Sequence, residues 1–320
     1  MKSYPLFLYS FTALTLCSFG IASAEELVTV PQLESGITAS IGTFYVQPSA
    51  NNLTYAFDAE PTDPNSGILT AVDLNSDYSF GTQAALGYLF DDTANGIELA
   101  YRNLNTSDNT SGIHDFPTNN NYIPGDTDAH VGYELNTFDL LISQYVNLGE
   151  HMQLRFNGGL TYVELEQDAN FSVTYNPPPP PDMGDVVTQG IHHNEFQGWG
   201  PRIGIDTRYA FDEGIGIVAG GSAAYYLGSF DITTVKHLYN TFDGTTPEIT
   251  TENTLDSHAV TNLRANLGVD YIYQSIGLEL GYQVDYYKEA LANTPGNSPN
   301  IVIPYDATFS GPYLNLKGVF

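Results

Sequence analysis

Cysteine is almost absent from this sequence, and its one copy, Cys17, lies in a segment with the features of a secretory signal. Residues 1–24 begin with the basic residue Lys2, continue through an apolar stretch and end on small residues suited to a cleavage site. Polar interruptions in the stretch and acidic residues after it argue against the alternative, a retained membrane anchor. We predict cleavage after Ala24, which leaves an exported chain with no cysteine and therefore no disulfide.

Basic residues are also scarce, since the chain has nine Lys and Arg against 37 Asp and Glu. The predicted signal contains one of the nine basic residues and no acidic residue, so its removal makes the chain still more negative. A surface with this balance repels phosphate backbones, which excludes nucleic acid as a partner.

Long apolar runs are missing after residue 24, where none reaches the ~20 residues that a membrane-spanning helix needs. The apolar stretch Gly214–Gly228 is rich in glycine and too short to span as a helix. What the chain does contain is 23 Tyr, 17 Phe and 30 Gly. Such residues are typical of the lipid-facing surface and the aromatic girdles of outer-membrane β-barrels.

Apolar and polar residues alternate through much of the chain, which is the period of a β-strand with one apolar face. Ten strands are predicted, at 36–47, 77–90, 96–105, 132–146, 152–166, 195–211, 215–229, 259–273, 277–289 and 307–320. The phase of the fourth is ambiguous, because two sets of apolar residues compete for one face: Leu135, Leu141 and Tyr145, or Phe138, Leu140 and Ile142.

The predicted connections alternate in length. Short ones lie at 91–95, 147–151, 212–214 and 274–276; long ones lie at 48–76, 106–131, 167–194, 230–258 and 290–306. Outer-membrane barrels have short periplasmic turns and long outer loops. We therefore predict an all-β fold, a transmembrane antiparallel up-and-down β-barrel of about ten strands. Twelve strands are the alternative, if residues 48–76 contain a hairpin.

The predicted organisation is a signal peptide (1–24), a periplasmic N-terminal segment (25–35) and one barrel domain (36–320). Five consecutive prolines, 177–181, cannot join a β-ladder and are interpreted as a stiff stalk in the third outer loop. An even number of strands places both ends of the barrel in the periplasm. The final strand has apolar residues at alternate positions and resembles the C-terminal signal that barrel-assembly machinery recognises; its residues are Leu314, Leu316, Gly318 and Phe320.

Charged residues on the polar faces of the strands are predicted to line the lumen, because a charge facing lipid at mid-membrane costs ~2–4 kcal/mol. They are Glu98, Arg102, Arg155, Arg202, Asp206, Arg208, Arg264, Asp270, Glu279, Asp285 and Lys317. Either they form an ion-paired filling of the interior, or the cations line a constriction that sets selectivity. The predicted aromatic girdles consist of Tyr45, Tyr101, Tyr162, Trp199 and Tyr286 on the outer side, and Phe90, Tyr209, Phe211, Tyr271 and Phe320 on the inner side.

Two stretches resemble the Legionella major outer membrane protein family, also described as pore-forming outer-membrane proteins. They are "ASIGTFYVQPSANNLTYA" (Ala39–Ala56) and "WGPRIGIDTRYAFDEGIGIVAGGSAAYYLG" (Trp199–Gly228). The resemblance implies a pore-forming barrel in the outer membrane of a Gram-negative cell. The family has no catalytic motif, and disulfide cross-linking associated with it does not carry over to a chain without cysteine.

Three functions are compatible with such a barrel. We expect a narrow, weakly cation-selective pore for small solutes, because four of the long connections hold sixteen acidic residues and one basic residue, Lys236. A closed structural anchor or adhesin with acidic surface loops is the alternative, and an enzyme is the weakest of the three. His192 and His193 could hold a metal, but adjacent strand residues point to opposite faces.

We therefore expect no catalytic residue, no metal and no cofactor. The expected partners are outer-membrane lipid and lipopolysaccharide, the latter bridged by divalent cations, and the barrel-assembly machinery. A homo-oligomer is an alternative to a single barrel.

Overall fold

The computed structural model describes residues 35–50, 52–59, 69–74, 76–117, 122–175, 186–211, 214–240, 248–293 and 302–320. These residues form twelve β-strands. The predicted signal and the proline stalk lie outside these residues. The strands are β1 Gly36–Ala50, β2 Thr54–Ala59, β3 Leu69–Asp73, β4 Ser79–Leu89, β5 Asn95–Pro117, β6 Tyr122–Leu148, β7 Met152–Tyr175, β8 Val186–Ala210, β9 Ile215–Asn240, β10 Glu248–Tyr273, β11 Ile276–Asn293 and β12 Ile303–Val319.

Ten of the strands close into a ring. Strand β1 pairs antiparallel with β12 on one side and with β4 on the other. From β4 to β12 each strand pairs with the next along the chain. The predicted ten-stranded antiparallel barrel is confirmed. The segment 48–76 does contain a hairpin, β2–β3, but it contacts the ring through β5 and does not enter the wall.

The strands are longer than the sequence predicts. Residues 106–131 and 230–258, predicted as loops, are mostly strand: β5 continues to Pro117, β6 starts at Tyr122, and β9 continues to Asn240. The outward faces of the extra lengths are mostly polar, while buried apolar residues such as Val131, Phe230 and Ile232 face the interior. They therefore lack the apolar outer face by which the lipid-spanning parts were found. The described barrel therefore has a tall wall on the side of the long connections and short turns on the other side.

Alternation places polar and small residues inside the membrane-spanning part and apolar residues outside. On β10 the outward residues Leu263, Leu267 and Val269 are 49%, 62% and 54% exposed, while the inward Asn262 is 2% exposed. An apolar outer surface of this kind is the surface that lipid covers. In β6 the ambiguity of phase is resolved, because Phe138, Leu140 and Ile142 face outward.

Aromatic residues form a continuous row on the outward face where the apolar band meets the tall wall. Tyr101, Phe138, Tyr162 and Trp199 lie opposite one another on β5 to β8, with ring centroids 4.5, 6.3 and 4.7 Å apart. Tyr45 packs against Tyr78 and Phe80 in the same way. Four of the predicted inner-side aromatics are exposed near the short turns: Phe90, Tyr209, Phe211 and Tyr271. Phe320, also predicted there, is 77% exposed.

Glycine in β9 makes room for the charged interior. A Cβ atom on Gly216 would lie 2.4 Å from Asp270 Oδ1 and 2.9 Å from Arg208 Nη2. One on Gly220 would lie 2.6 Å from Asp206 Oδ1. The glycine-rich sequence of this strand is therefore explained by the ion pairs that its neighbours direct into the lumen.

No helix among the described residues is long and apolar enough to cross a bilayer.

Candidate functional site

The lower half of the lumen, nearer the short turns, is a layer of paired charges. The structure places all eleven charged residues predicted for the lumen on inward faces, and it brings all of them into ion pairs. These pairs are Arg155–Glu98 (3.0 Å), Arg155–Asp206 (3.8 Å), Arg208–Asp270 (2.6 Å), Arg102–Asp285 (2.6 Å), Arg264–Asp285 (3.0 Å), Lys317–Glu279 and Arg202–Asp139. The arrangement corresponds to an ion-paired filling rather than to a row of free cations.

Asp139 is the lumen carboxylate that the sequence analysis missed. It projects inward from β6, is 3% exposed and pairs with Arg202 of β8. Its strand was the one of ambiguous phase, so no face could be assigned to it. With Asp139 included, six cations and six carboxylates balance within this layer.

Asp285 is the most connected member of the layer. It is fully buried and accepts from Arg102 Nη1 at 2.6 Å, from Arg264 Nε at 3.0 Å and from Asn262 Nδ2 at 2.6 Å. The guanidinium of Arg102 also lies over the ring of Phe44, 4.8 Å from its centroid. One carboxylate on β11 thereby joins β5 and β10 across the lumen.

A cavity of about 190 Å³ lies within the charged layer, bordered by Arg102, Asp139, Arg155 and Asp206 among others. Several buried polar atoms around it have no protein partner, including Asp139 Oδ1, Arg155 Nε and Asn157 Oδ1. A cavity of that size with such a lining has room for several water molecules.

Above the charged layer the lumen is filled by apolar side chains. The largest are fully buried, at 2% exposure or less: Phe44, Leu104, Leu135, Leu165, Phe196, Tyr226, Phe230, Ile232, Tyr287 and Leu291. Phe196 meets Phe230 edge to face with centroids 6.3 Å apart, and Tyr287 meets Phe309 likewise at 5.9 Å. These residues come from strands all around the ring and form one contiguous core. We call this core the apolar layer.

A group of buried amides attaches connecting segments to the top of the apolar layer. Gln167 is fully buried, accepts from Asn52 Nδ2 at 2.6 Å and from Asn194 Nδ2 at 3.1 Å, and donates to Tyr133 Oη at 2.9 Å. Asn194 also accepts from the backbone N–H of Ala292 at 3.2 Å. Residues from the first long connection and from the end of β11 are thereby held inside the barrel. Burial raises the pKa of Tyr133 to about 12, so its hydroxyl stays neutral in this group.

Replacing Gln167 with Leu should loosen this attachment. Each buried polar group left without a partner costs about 1–3 kcal/mol, and the change removes the hydrogen bonds of both Asn52 and Tyr133 to Gln167. We expect faster amide exchange at Leu74, whose N–H donates to Leu53 O beside Asn52, measured by hydrogen–deuterium exchange. Asn147→Leu, at the opposite end of the barrel, is the control. Unchanged exchange at Leu74 in Gln167→Leu would contradict the assignment.

The adjacent histidines point to opposite faces, as the sequence analysis expected. His192 faces the interior and lies 3.2 Å from Thr234 Oγ1; burial, with the charge of Lys236, lowers its pKa to about 4. His193 faces outward and lies 2.7 Å from Asp168 Oδ1. The two side chains therefore cannot share one ion.

A closed ten-stranded ring, whose membrane-spanning part has an apolar outer surface, aromatic rows and charges only in the lumen, defines a transmembrane β-barrel of the outer-membrane type. The chain matches the family of the Legionella pneumophila major outer membrane protein precursor over residues 29–320, and it belongs to that family. The resemblance seen in the sequence is confirmed, and the protein is placed in the outer membrane of a Gram-negative cell.

Three solved structures with a similar course of the chain are distant from it in sequence. The outer membrane protease OmpT from Escherichia coli has a TM-score of 0.48 at 13% identity, over 91% of this chain and 99% of that one. The TodX deltaS2S3 mutant monoaromatic hydrocarbon channel has a TM-score of 0.30 at 8% identity, over 90% of this chain and 91% of that one. A Pseudomonas aeruginosa FadL homologue has a TM-score of 0.28 at 9% identity, over 89% of this chain and 90% of that one. None of these likenesses bears on what this chain does. No curated protein matches the chain.

Proposed function

We propose that this protein is a closed outer-membrane barrel, a structural anchor that carries a tall, acidic wall on the cell surface. The observation that supports this proposal is the apolar layer, in which side chains from strands around the ring form one contiguous buried core among the described residues. The sequence favours a narrow pore, with the closed anchor as the alternative. The side-chain packing supports the closed anchor instead.

The reason is the cost of moving an ion through the apolar layer. Small barrels of about eight strands are filled by their own side chains, whereas open channels are typical at 16–18 strands. Hydrophobic constrictions block conduction even where some space remains, because water does not occupy them. Phe196 and Phe230, in the middle of the apolar layer, have no exposed surface, which supports a packed constriction.

A narrow pore remains the second candidate, and the polar cavity in the charged layer favours it. Water in the charged layer would reach the lower edge of the apolar layer. Passage of a solute would then require displacement of the apolar layer only. Because the lumen charges balance, weak cation selectivity would come from the acidic outer wall, and it would fade as salt is raised.

We propose no catalytic role. The buried His192 meets a threonine hydroxyl rather than a carboxylate, and the His193–Asp168 pair lies on the outward face of the wall. Binding to lipopolysaccharide, recognition by the assembly machinery and oligomer formation stay predictions.

Planar-bilayer recording of the purified, folded protein tests the proposal. We expect no stepwise conductance from the native chain, because ions cannot enter the apolar layer. Steps with a reversal potential that shifts under a salt gradient would favour the pore. In that case Arg155→Glu, within the charged layer, should change the conductance, while Lys288→Glu, at an exposed position, serves as the matched control.

A further inference from the structure

A group of metal-ligating side chains lies on the outward face of the tall wall. Glu166 and Asp168 are on β7, and His193 and Glu195 are on β8; we call these four residues the outer-face cluster. Their sequence neighbours Gln167, His192 and Asn194 are buried inside the barrel, so the cluster itself points outward. It lies beyond the aromatic row, because Glu195 is four residues, or ~13 Å along the strand, from Trp199.

The backbone holds these side chains in register. Asp168 is directly opposite His193, and Glu166 is directly opposite Glu195, within an unbroken ladder that joins β7 to β8. His193 Nδ1 lies 2.7 Å from Asp168 Oδ1 and 3.7 Å from Glu166 Oε1, and Nε2 lies 3.9 Å from Glu195 Oε2. Three ligand atoms, one each from Glu166, Asp168 and His193, lie within 4.8 Å of one another.

Negative charge accumulates at this place, and no Lys or Arg among the described residues is recorded in an ion pair with it. Glu134, Glu166, Glu195 and Asp231 occupy directly opposite positions on four neighbouring strands. Like charges at such positions destabilise a sheet. The ion pairs described for the carboxylates of the outer-face cluster all go to one imidazole, that of His193. A cation placed among these carboxylates would relieve their mutual repulsion.

We propose that the outer-face cluster binds a divalent transition-metal ion through Nδ1 of His193 and the carboxylates of Asp168 and Glu166. Tetrahedral zinc has bonds of about 2.0–2.2 Å to nitrogen and oxygen, so its ligand atoms lie roughly 3.4 Å apart. Side-chain rotation on the fixed ladder would bring the cluster to that spacing. An imidazole nitrogen among the ligands favours zinc-like ions over Ca²⁺ and Mg²⁺, which take oxygen.

Calorimetric titration of the folded barrel with Zn²⁺ tests this site. We expect one zinc ion per barrel, at least tenfold weaker binding in His193→Asn, and weaker binding in Glu166→Gln. His130→Asn is the matched control, because His130 lies on the same outward face and is paired with Asn109 instead of a carboxylate. Its zinc affinity should equal that of the native chain.

Three outcomes would overturn the proposal: no zinc binding, equal binding by His193→Asn, or equally tight binding of Ca²⁺ in the native chain. The last would mean that the acidic wall attracts divalent cations without a defined site. The shift in electrophoretic mobility on boiling shows that each variant is folded. The result does not depend on whether the lumen conducts ions.

Discussion

Asp285→Asn is expected to lower the free energy of unfolding by about 3–5 kcal/mol, the usual cost of removing one partner from a buried ion pair. Asn keeps the size of the side chain but removes the charge that two guanidinium groups share. Arg102 and Arg264 would then face each other in the charged layer, with net positive charge and no shared counterion. Denaturant titration in detergent or in lipid vesicles, followed by tyrosine and tryptophan fluorescence, measures the change.

The exposed pair Lys288–Glu289, 3.5 Å apart and near Asp285 in sequence, provides the control. Lys288→Gln should change stability by less than about 1 kcal/mol, because water already solvates both of its charges. A change below 1 kcal/mol for Asp285→Asn as well would show that water in the adjacent cavity replaces the carboxylate. The charges of this layer would then be solvated by water, and their ion pairs would contribute little to the stability of the barrel.

Phe196→Ala should cost about 3–5 kcal/mol of stability, the range for large-to-small changes in a packed core. Phe196 has no exposed surface and contacts both Phe230 and the imidazole of His258 edge to face. Neighbouring rings are anchored on strands of a closed ring, so they cannot collapse far into the space that the phenyl group leaves. The same denaturant titration measures the loss.

Leu160→Ala is the matched control, because Leu160 is 58% exposed on the outward face of the apolar band. Lipid tails provide an environment as apolar as the leucine they would replace, so its loss should cost much less. Equal losses for the two variants would contradict the view that the apolar layer, rather than the lipid-facing surface, stabilises this barrel.

The membrane-spanning part was predictable because lipid imposes a strict alternation on it. Residues such as Leu263 and Leu267 had to face outward, which fixed the inward direction of Arg264 between them. All eleven charged residues predicted for the lumen lie on inward faces for this reason. The phase of β6 could not be predicted because apolar residues lie on both of its faces: Leu141 is buried inside while Leu140 and Ile142 face lipid.

The apolar layer and the outer-face cluster could not be predicted in the same way. Phe196, Val163 and Leu135 face inward above the bilayer, where no rule of lipid exposure says which side an apolar residue takes. The partners in both features are also far apart in sequence: Phe196 meets Phe230, and Asp168 meets His193, only through the register of long strands. That register follows from pairings that a strand pattern does not contain.

The length of the wall determines how far this protein stands out from the cell. Strand β8 has 25 residues, which at ~3.3 Å each and a tilt of 35–45° rise roughly 60 Å along the barrel axis. The apolar band of an outer-membrane barrel is only about 25 Å tall. Some 35 Å of hydrogen-bonded sheet therefore projects past the lipid, comparable in height to a small globular domain. Large molecules that approach the cell would meet this rigid rim before they reach the membrane beside it.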